Sequence, residues 1–200
     1  MNTPNRLTLA RMILSPVFLV LFLWEFPFHT LLSGVVFGAA ALTDLFDGRL
    51  ARKYGQITSL GKFLDPIADK MLTTAAFLAF VACDQMNVWA LFLILTREFV
   101  VTSVRLVAAE GGKVVAANIW GKIKTVMQFI AILYLLVALE FASWQDTVLQ
   151  SAALPEAVFT VPLVVGQVLL WIAAVMTAVS GVTYFWDNRR FFLPKSAKNR

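Results

Sequence analysis

The stretch DLFDGRLARKYGQITSLGKFLDPIADK, residues 44–70, carries four aspartates between strongly apolar segments. They are Asp44, Asp47, Asp65 and Asp69. Ionised carboxylates are costly within or against a bilayer, and those that occur there usually serve a function. This stretch therefore bears on both the fold and the function of the chain.

The composition is that of a membrane protein. Hydrophobic residues make up 60% of the 200 residues and charged residues 14%, against about 45–50% and about 25% in ordinary soluble domains. A transmembrane helix needs roughly 20 mostly apolar residues. Six segments qualify: about 7–26, 31–52, 60–83, 87–109, 118–139 and 161–186. We predict an all-α polytopic membrane protein, with six transmembrane helices in one bundle and a single domain over residues 1–200.

The basic residues set the expected orientation. All 17 Lys and Arg fall at the N-terminus, in the region of an even-numbered connection or at the C-terminus. The odd-numbered connections hold acids and one histidine: Glu25, His29, Asp84, Glu140, Asp146 and Glu156. The positive-inside rule then predicts that both termini and the turn within residues 44–70 are cytoplasmic. Topology and attraction to anionic membrane lipids explain most of the +5 net charge, and we expect no nucleic-acid partner.

The aspartates follow helical spacing in two sets. Asp44 and Asp47 share a helix face with Gly48 and Ala51, at i, i+3, i+4 and i+7. Gly61, Asp65 and Asp69 share a second face, at i, i+4 and i+8. A short turn separates the two helices, so we expect antiparallel neighbours. If the two faces meet, four carboxylates converge near the cytoplasmic interface.

Four carboxylates at one place need positive charge among them. Hard divalent cations take oxygen ligands and are commonly shared with substrate phosphates. We therefore expect Mg²⁺ or Mn²⁺, in a pair of ions that stabilises the attacking and leaving oxygens of a phosphoryl displacement. The alternative is that each aspartate caps a helix or pairs with a basic neighbour, which is a less economical explanation for four aspartates on two matched faces.

The pattern D-x2-D-G-x2-A-R-x8-G-x3-D-x3-D is matched in full over residues 44–69. It resembles the signature of the CDP-alcohol phosphotransferases, which have six transmembrane helices and transfer a phosphatidyl or similar group from a CDP-linked donor to an alcohol, releasing CMP. Three further stretches are similar to bacterial members that use glycerol 3-phosphate: NTPNRLTLARMILSP at the start, TREFVVTSVR at 96–105 and GKIKTVMQ at 121–128. The likeness is looser in the last 60 residues.

The resemblance implies roles for the motif residues. Asp44, Asp47 and Asp65 would hold the metal ions, and Asp69 would join the metal site or act as general base, which makes Asp65 and Asp69 the candidate catalytic residues. CDP-diacylglycerol would lie against a further set of residues: Gly48, Ala51, Arg52, Gly61, Asn5 and Thr8. The resemblance also implies a bacterial inner membrane, an active site facing the cytoplasm, and a homodimer.

A phosphorylated acceptor such as glycerol 3-phosphate needs cations placed to bind it. Arg97 and Arg105 lie eight residues apart, roughly on one helix face, and arginine offers forked donors suited to phosphate. Lys122 and Lys124 at the start of the fifth span are further candidates. For Lys124 the alternative is an interfacial lysine whose stem lies along apolar surface. We expect Glu98 to orient a basic neighbour rather than to perform chemistry.

Other functions remain open at this stage. The same chemistry with inositol phosphate, serine or phosphatidylglycerol as acceptor is the nearest alternative, because the motif serves the donor. A prenyltransferase would usually carry two aspartate-rich motifs and more spans. A cation transporter would place carboxylates near mid-bilayer, whereas these lie among basic residues at the ends of their spans.

Three local features complete the predictions. The third helix either starts near Pro66 or bends there. Residues 140–160 are the least hydrophobic internal stretch and are expected to include a short interfacial helix. Cys83 is the only cysteine, so no disulfide within the chain can form.

Overall fold

The described part of the chain is all-helical, as the sequence predicts. In the computed structural model, residues 3–54, 59–110, 119–147 and 155–188 are described, without the side chains of 3–7, 44–54, 59–66, 69, 106, 107, 109, 110, 146, 147 and 188. These residues form six helices and no strand: α1 Thr3–Leu23, α2 His29–Tyr54, α3 Ser59–Ala82, α4 Val88–Glu110, α5 Ile119–Thr147 and α6 Ala157–Asn188.

The helix boundaries correct two local predictions. Helix α3 begins at Ser59, so the prediction of a start near Pro66 is wrong. Helix α5 continues to Thr147, so residues 140–147 extend a long helix rather than forming a short interfacial one. Residues 148–154 of that stretch lie outside the described residues, and from Ala157 onward the stretch belongs to α6.

The helices pack through an aromatic core. Helix α1 packs on α2 and α3, α5 packs on α6, and the contacts of α2 with α5 and of α4 with α6 join these groups. Phe37 of α2 links three helices. The centre of its ring lies 5.7 Å from the ring centre of Phe18 in α1 and 5.9 Å from that of Phe129 in α5. Phe22 of α1 meets Phe80 of α3 at 6.0 Å. These contacts fix the positions of the helices that carry the candidate site.

The exterior of the described helices is apolar. Val137 of α5 and Val182 of α6 are 69% and 67% exposed, among many other large hydrophobic side chains that face outward. Two helical segments are long and apolar enough to cross a membrane, Ile119–Gln145 and Ala157–Asp187. Since soluble monomers rarely expose large apolar patches, this surface is typical of a protein surrounded by lipid.

Glu140 makes a structural bond at the end of the bundle opposite to the basic residues of α5. Its carboxylate is buried and accepts hydrogen bonds from the backbone N–H of Leu31, at 2.8 Å, and from Trp144 Nε1, at 2.9 Å. Leu31 lies in the first turn of α2, where backbone N–H groups have no partner within the helix and the dipole favours negative charge. Glu140 thus caps α2 from α5.

Candidate functional site

The helices that carry the motif have the predicted conformation. Helix α2 is continuous through residues 44–54 and α3 through residues 59–70, so both aspartate sets have the i, i+3 and i, i+4 spacings of a helix face. The two helices contact each other. The structure does not describe the side chain of Asn5 or those of the eight motif residues. The motif residues are Asp44, Asp47, Gly48, Ala51, Arg52, Gly61, Asp65 and Asp69. Their convergence stays a prediction.

The donor set suits a hard divalent cation. Carboxylate oxygens are the ligands that such ions prefer, and helical spacing gives each of two neighbouring helices a pair of them. Among the side chains that the structure describes, no group of three or more His, Cys, Asp or Glu could hold a metal ion. The described side chains therefore offer no competing site, and the four aspartates remain the candidate ligands.

Thr8 is the one predicted donor-binding residue whose side chain is described. It is 2% exposed, in the first half of α1. It lies inside the bundle rather than on its lipid-facing surface. Its role toward the donor stays a prediction.

A cluster of three cations surrounds Glu98, and we call Lys70, Arg97, Glu98 and Lys124 the Glu98 cluster. The Glu98 carboxylate forms ion pairs with Lys124, with Arg97 Nη1 at 3.4 Å and with Lys70 Nζ at 3.7 Å. The ammonium of Lys70 also donates to the Glu98 carbonyl oxygen, at 2.8 Å, and to Thr102 Oγ1. The cluster joins α3, α4 and α5, and Lys70 directly follows Asp69 in the chain.

Lys124 is not an interfacial lysine. Its side chain is 7% exposed, and among the described residues Glu98 is its ion-pair partner. The interfacial alternative is therefore wrong, because the ammonium points into the bundle and not along an outer surface. Lys122, two residues earlier, is exposed and makes no ion pair with the described residues, so the structure does not bring it into the Glu98 cluster.

Arg97 extends from α4 to α6. Its side chain is 9% exposed, and its Nη2 donates to Ser180 Oγ at 2.7 Å. No acceptor among the described residues lies within hydrogen-bond distance of its buried Nε. A Cβ at Gly181 would lie 2.8 Å from Arg97 Cγ, and one at Gly121 would lie 3.7 Å from Nη2. Gly181 therefore leaves space that the Arg97 side chain fills, whereas a Cβ at Gly121 would make an ordinary van der Waals contact.

Arg105 also rests on α6. Its guanidinium carbon lies 5.6 Å from the centre of the Tyr184 ring, within the range of a cation–π interaction. Arg105 is exposed whereas Tyr184 is 3% exposed. Both arginines predicted to bind the acceptor are thus held by one segment of α6.

A small polar cavity lies beside the Glu98 cluster, between α3, α4 and α5. It measures about 40 Å³ and is lined by Lys70, Thr73, Glu98, Lys124 and Gln128 among others. That volume is enough for a water molecule, and the site has several polar partners for it. In the Glu98 cluster itself, three cationic side chains surround one carboxylate.

Sequence comparison agrees with the motif. The sequence model for the CDP-alcohol phosphatidyltransferase family matches residues 1–179. This chain belongs to the CDP-alcohol phosphatidyltransferase family. With its lipid-exposed helices, this membership makes the chain a membrane protein.

Relatives within the family are similar over nearly their whole length. A Bacillus subtilis protein named CDP-diacylglycerol–glycerol-3-phosphate 3-phosphatidyltransferase is 39% identical over 94% of this chain and 95% of its own. A Rickettsia bellii protein of the same name is 34% identical over 96% of this chain and 97% of its own. A Salmonella paratyphi A protein, again of that name, is 35% identical over 92% of each chain.

Sequence reasoning missed the part that α6 plays. Ser180, Gly181 and Tyr184 follow the end of the family match at residue 179. A serine and a glycine in a long apolar helix carry no signal by themselves, since small residues commonly serve helix packing in membranes. The sequence counts Lys70 among the basic residues that set topology and that could pair with a motif aspartate, and only its contacts with Glu98 and Thr102 reveal that it ties α3 to α4.

Proposed function

We propose that this chain transfers the phosphatidyl group of CDP-diacylglycerol to glycerol 3-phosphate, giving phosphatidylglycerophosphate and CMP in phospholipid biosynthesis. The observation that carries the proposal is the full match to the eight-position motif. In addition, relatives that are named for this activity are similar to the chain over more than nine tenths of its length. The motif binds the donor and does not identify the acceptor. The assignment of glycerol 3-phosphate as acceptor therefore rests on the names of the relatives and on the cations of the Glu98 cluster.

The charge of the Glu98 cluster supports a phosphorylated acceptor. The phosphate of glycerol 3-phosphate carries nearly two negative charges at neutral pH, and this cluster gathers three cationic side chains around a single carboxylate. Arg97 and Arg105 would bind the phosphate by their forked donors, with Lys124 adding charge and Lys122 contributing from the exposed side. Serine, which has no phosphate, fits this arrangement poorly.

The transfer itself is a displacement at phosphorus. The acceptor hydroxyl oxygen forms a bond to the β-phosphorus of the donor, and the bond from that phosphorus to the oxygen bridging to the α-phosphate breaks. CMP leaves with the electron pair, and Asp69 or another carboxylate of the motif takes the hydroxyl proton. Arg52, Gly48, Ala51, Gly61, Asn5 and Thr8 would hold the CDP part of the donor.

Asp44, Asp47, Asp65 and Asp69 would hold two divalent ions, Mg²⁺ or Mn²⁺. Bound there, the ions would polarise the diphosphate and stabilise the charge on the CMP leaving group. The aspartates fit this task by their chemistry and by their helical spacing on α2 and α3. We place this site on the cytoplasmic side of a six-span bundle in a bacterial inner membrane, with both termini cytoplasmic and a homodimer as the assembly.

The test is CMP release by the purified protein with CDP-diacylglycerol and Mg²⁺. Glycerol 3-phosphate, inositol phosphate, serine and phosphatidylglycerol are supplied in separate reactions, each with a chelator control. We expect CMP with glycerol 3-phosphate alone, and none after chelation. CMP with another acceptor would overturn the acceptor assignment, and CMP release that survives chelation would overturn the metal assignment.

The aspartates are tested by Asp65→Asn. Because asparagine keeps the shape but loses the charge that a divalent ion requires, turnover should fall to background while the protein still inserts and folds. Folding is checked by helical circular dichroism and by a single peak in size exclusion. An Asp65→Asn protein with normal turnover would contradict the metal site.

A further inference from the structure

The acceptor arginines both reach helix α6, which the motif does not include. Arg97 and Arg105 belong to α4, yet their described partners on α6 are Ser180, Gly181 and Tyr184, within a segment of five residues. We call residues 180–184 the α6 segment. Ser180 is fully buried and Tyr184 nearly so, whereas Val182 between them faces outward, so the face of α6 that carries Ser180 and Tyr184 is turned into the bundle.

We propose that the α6 segment positions Arg97 and Arg105 for the acceptor phosphate. The inference rests on the proposed function, because it takes phosphate binding by these arginines from there. Ser180, Gly181 and Tyr184 are positioning residues, since each acts through an arginine and none is placed against the substrate.

Gly181 determines the path of the Arg97 side chain. An added Cβ would lie 2.8 Å from Arg97 Cγ, a distance that real structures do not tolerate. Because Cγ is near the base of the side chain, the whole chain beyond it would have to turn. The guanidinium would then leave both Ser180 and Glu98.

Ser180 determines where the guanidinium ends. Its hydroxyl accepts from Nη2 at 2.7 Å, while Nη1 lies 3.4 Å from the Glu98 carboxylate. Two fixed contacts on a planar group leave it little freedom of rotation. Nε has no hydrogen-bond partner among the described residues, and a guanidinium has five N–H donors in all, so it keeps unused hydrogen-bonding capacity for an anion.

Tyr184 supports Arg105 in a different way. The cation lies over the ring face, a contact that depends on the aromatic surface and not on the hydroxyl. Tyr184→Phe should therefore preserve the position of Arg105, whereas Tyr184→Leu should release it. Comparison of these two variants distinguishes the effect of the aromatic ring on Arg105 from the effect of the contacts that the tyrosine hydroxyl makes.

The test measures KM for glycerol 3-phosphate and kcat in two variants, Gly181→Ala and a control substitution at another glycine of the same helix. A Cβ at Gly166 would lie 2.5 Å from Cδ1 of Leu135, a fully buried side chain, so Gly166→Ala also creates a clash in the same helix but does not touch a cation. We expect Gly181→Ala to raise KM for glycerol 3-phosphate by roughly tenfold or more, the loss expected when a hydrogen-bonded charge is displaced. Gly166→Ala should lower thermal stability and leave this KM unchanged.

Ser180→Ala is the second variant, and it adds no atom that could prevent folding. It should raise KM for glycerol 3-phosphate severalfold, with KM for CDP-diacylglycerol unchanged. In an Arg97→Gln background, neither Gly181→Ala nor Ser180→Ala should change KM further, because both act through Arg97.

The outcomes separate the two proposals. No CMP from the wild-type protein with glycerol 3-phosphate, or an unchanged KM in Arg97→Gln, would overturn the proposed function or its acceptor site. A raised KM in Arg97→Gln together with an unchanged KM in Gly181→Ala and Ser180→Ala would overturn the role of α6 alone. Equal effects of Gly181→Ala and Gly166→Ala on KM would show a general packing defect and overturn it as well.

Discussion

Glu98 holds the cations of the candidate site together. One carboxylate serves Lys70 from α3, Arg97 from α4 and Lys124 from α5. Removing one partner of a buried ion pair typically costs about 3–5 kcal/mol, because the other charge stays buried without compensation. At Lys124, the most enclosed of the three, loss of the Glu98 charge should drive the ammonium out of its place.

We therefore expect Glu98→Gln to raise KM for glycerol 3-phosphate by roughly tenfold, with a smaller change in kcat. In a Lys124→Gln background the same change should have a smaller effect, because only the ion pairs of Glu98 with Arg97 and Lys70 are then left to lose. Steady-state kinetics of the four proteins of this double-mutant cycle give the coupling. Additive effects of the two substitutions would contradict the dependence of Lys124 on Glu98.

Glu140 provides the control for Glu98, because it is a buried glutamate whose partners among the described residues are uncharged, whereas Glu98 is half-buried among cations. Glu140→Gln keeps one acceptor oxygen for two donors, Leu31 N–H and Trp144 Nε1. One hydrogen bond to the carboxylate is lost, so the thermal midpoint should fall by roughly 2–8 °C. KM for glycerol 3-phosphate should stay unchanged, and a rise in it would mean that Glu98→Gln also acts through general loosening of the bundle.

At the scale of elements, periodicity and apolar run length predicted all six helices, with ends that moved by a few residues. The predicted end of the fifth span at residue 139 was too early, because α5 continues to Thr147. The cause is Glu140, which sequence reasoning assigned to a polar connection. Its carboxylate is satisfied by Leu31 and Trp144, and a charge satisfied inside the bundle does not end a helix.

The α4–α6 contact marks the limit of sequence reasoning about the site. The arginines of α4 stood out because arginine is costly within a span. Their partners Ser180 and Gly181 did not stand out, because serine and glycine cost little free energy within a membrane span and commonly occur there for helix packing alone. A pairing between residues 83 positions apart has no local signature, so only the packing of α6 on α4 reveals it.

For the molecule as a whole, the all-α class follows from composition, and the exposed valines of α5 and α6 agree with a lipid environment. Orientation comes from a different source, the asymmetric distribution of Lys and Arg between connections. The charged side chains inside the bundle are distributed in agreement with this orientation. Lys124 of the Glu98 cluster lies near the start of α5, the end predicted to be cytoplasmic, and Glu140 caps α2 at the other end.

Orientation can be tested directly because Cys83 is the only cysteine of the chain. Cys83→Ser gives a cysteine-free background into which single cysteines are placed. Glu25→Cys and Glu156→Cys, both at exposed positions before α2 and α6, should react with a membrane-impermeant maleimide in intact cells. Gln56→Cys, in the turn that the sequence predicts between the two aspartate helices, should react only after the membrane is permeabilised.

This pattern is expected because translocating the five basic residues around that turn would be far costlier than translocating Glu25 or Glu156. Retained CMP release in each variant would show that labelling reports on the active enzyme. Reaction of Gln56→Cys in intact cells would place the aspartates on the outer side, away from the cytoplasmic supply of glycerol 3-phosphate. The proposed reaction could then not proceed as described, so the orientation and the function are tested by the same experiment.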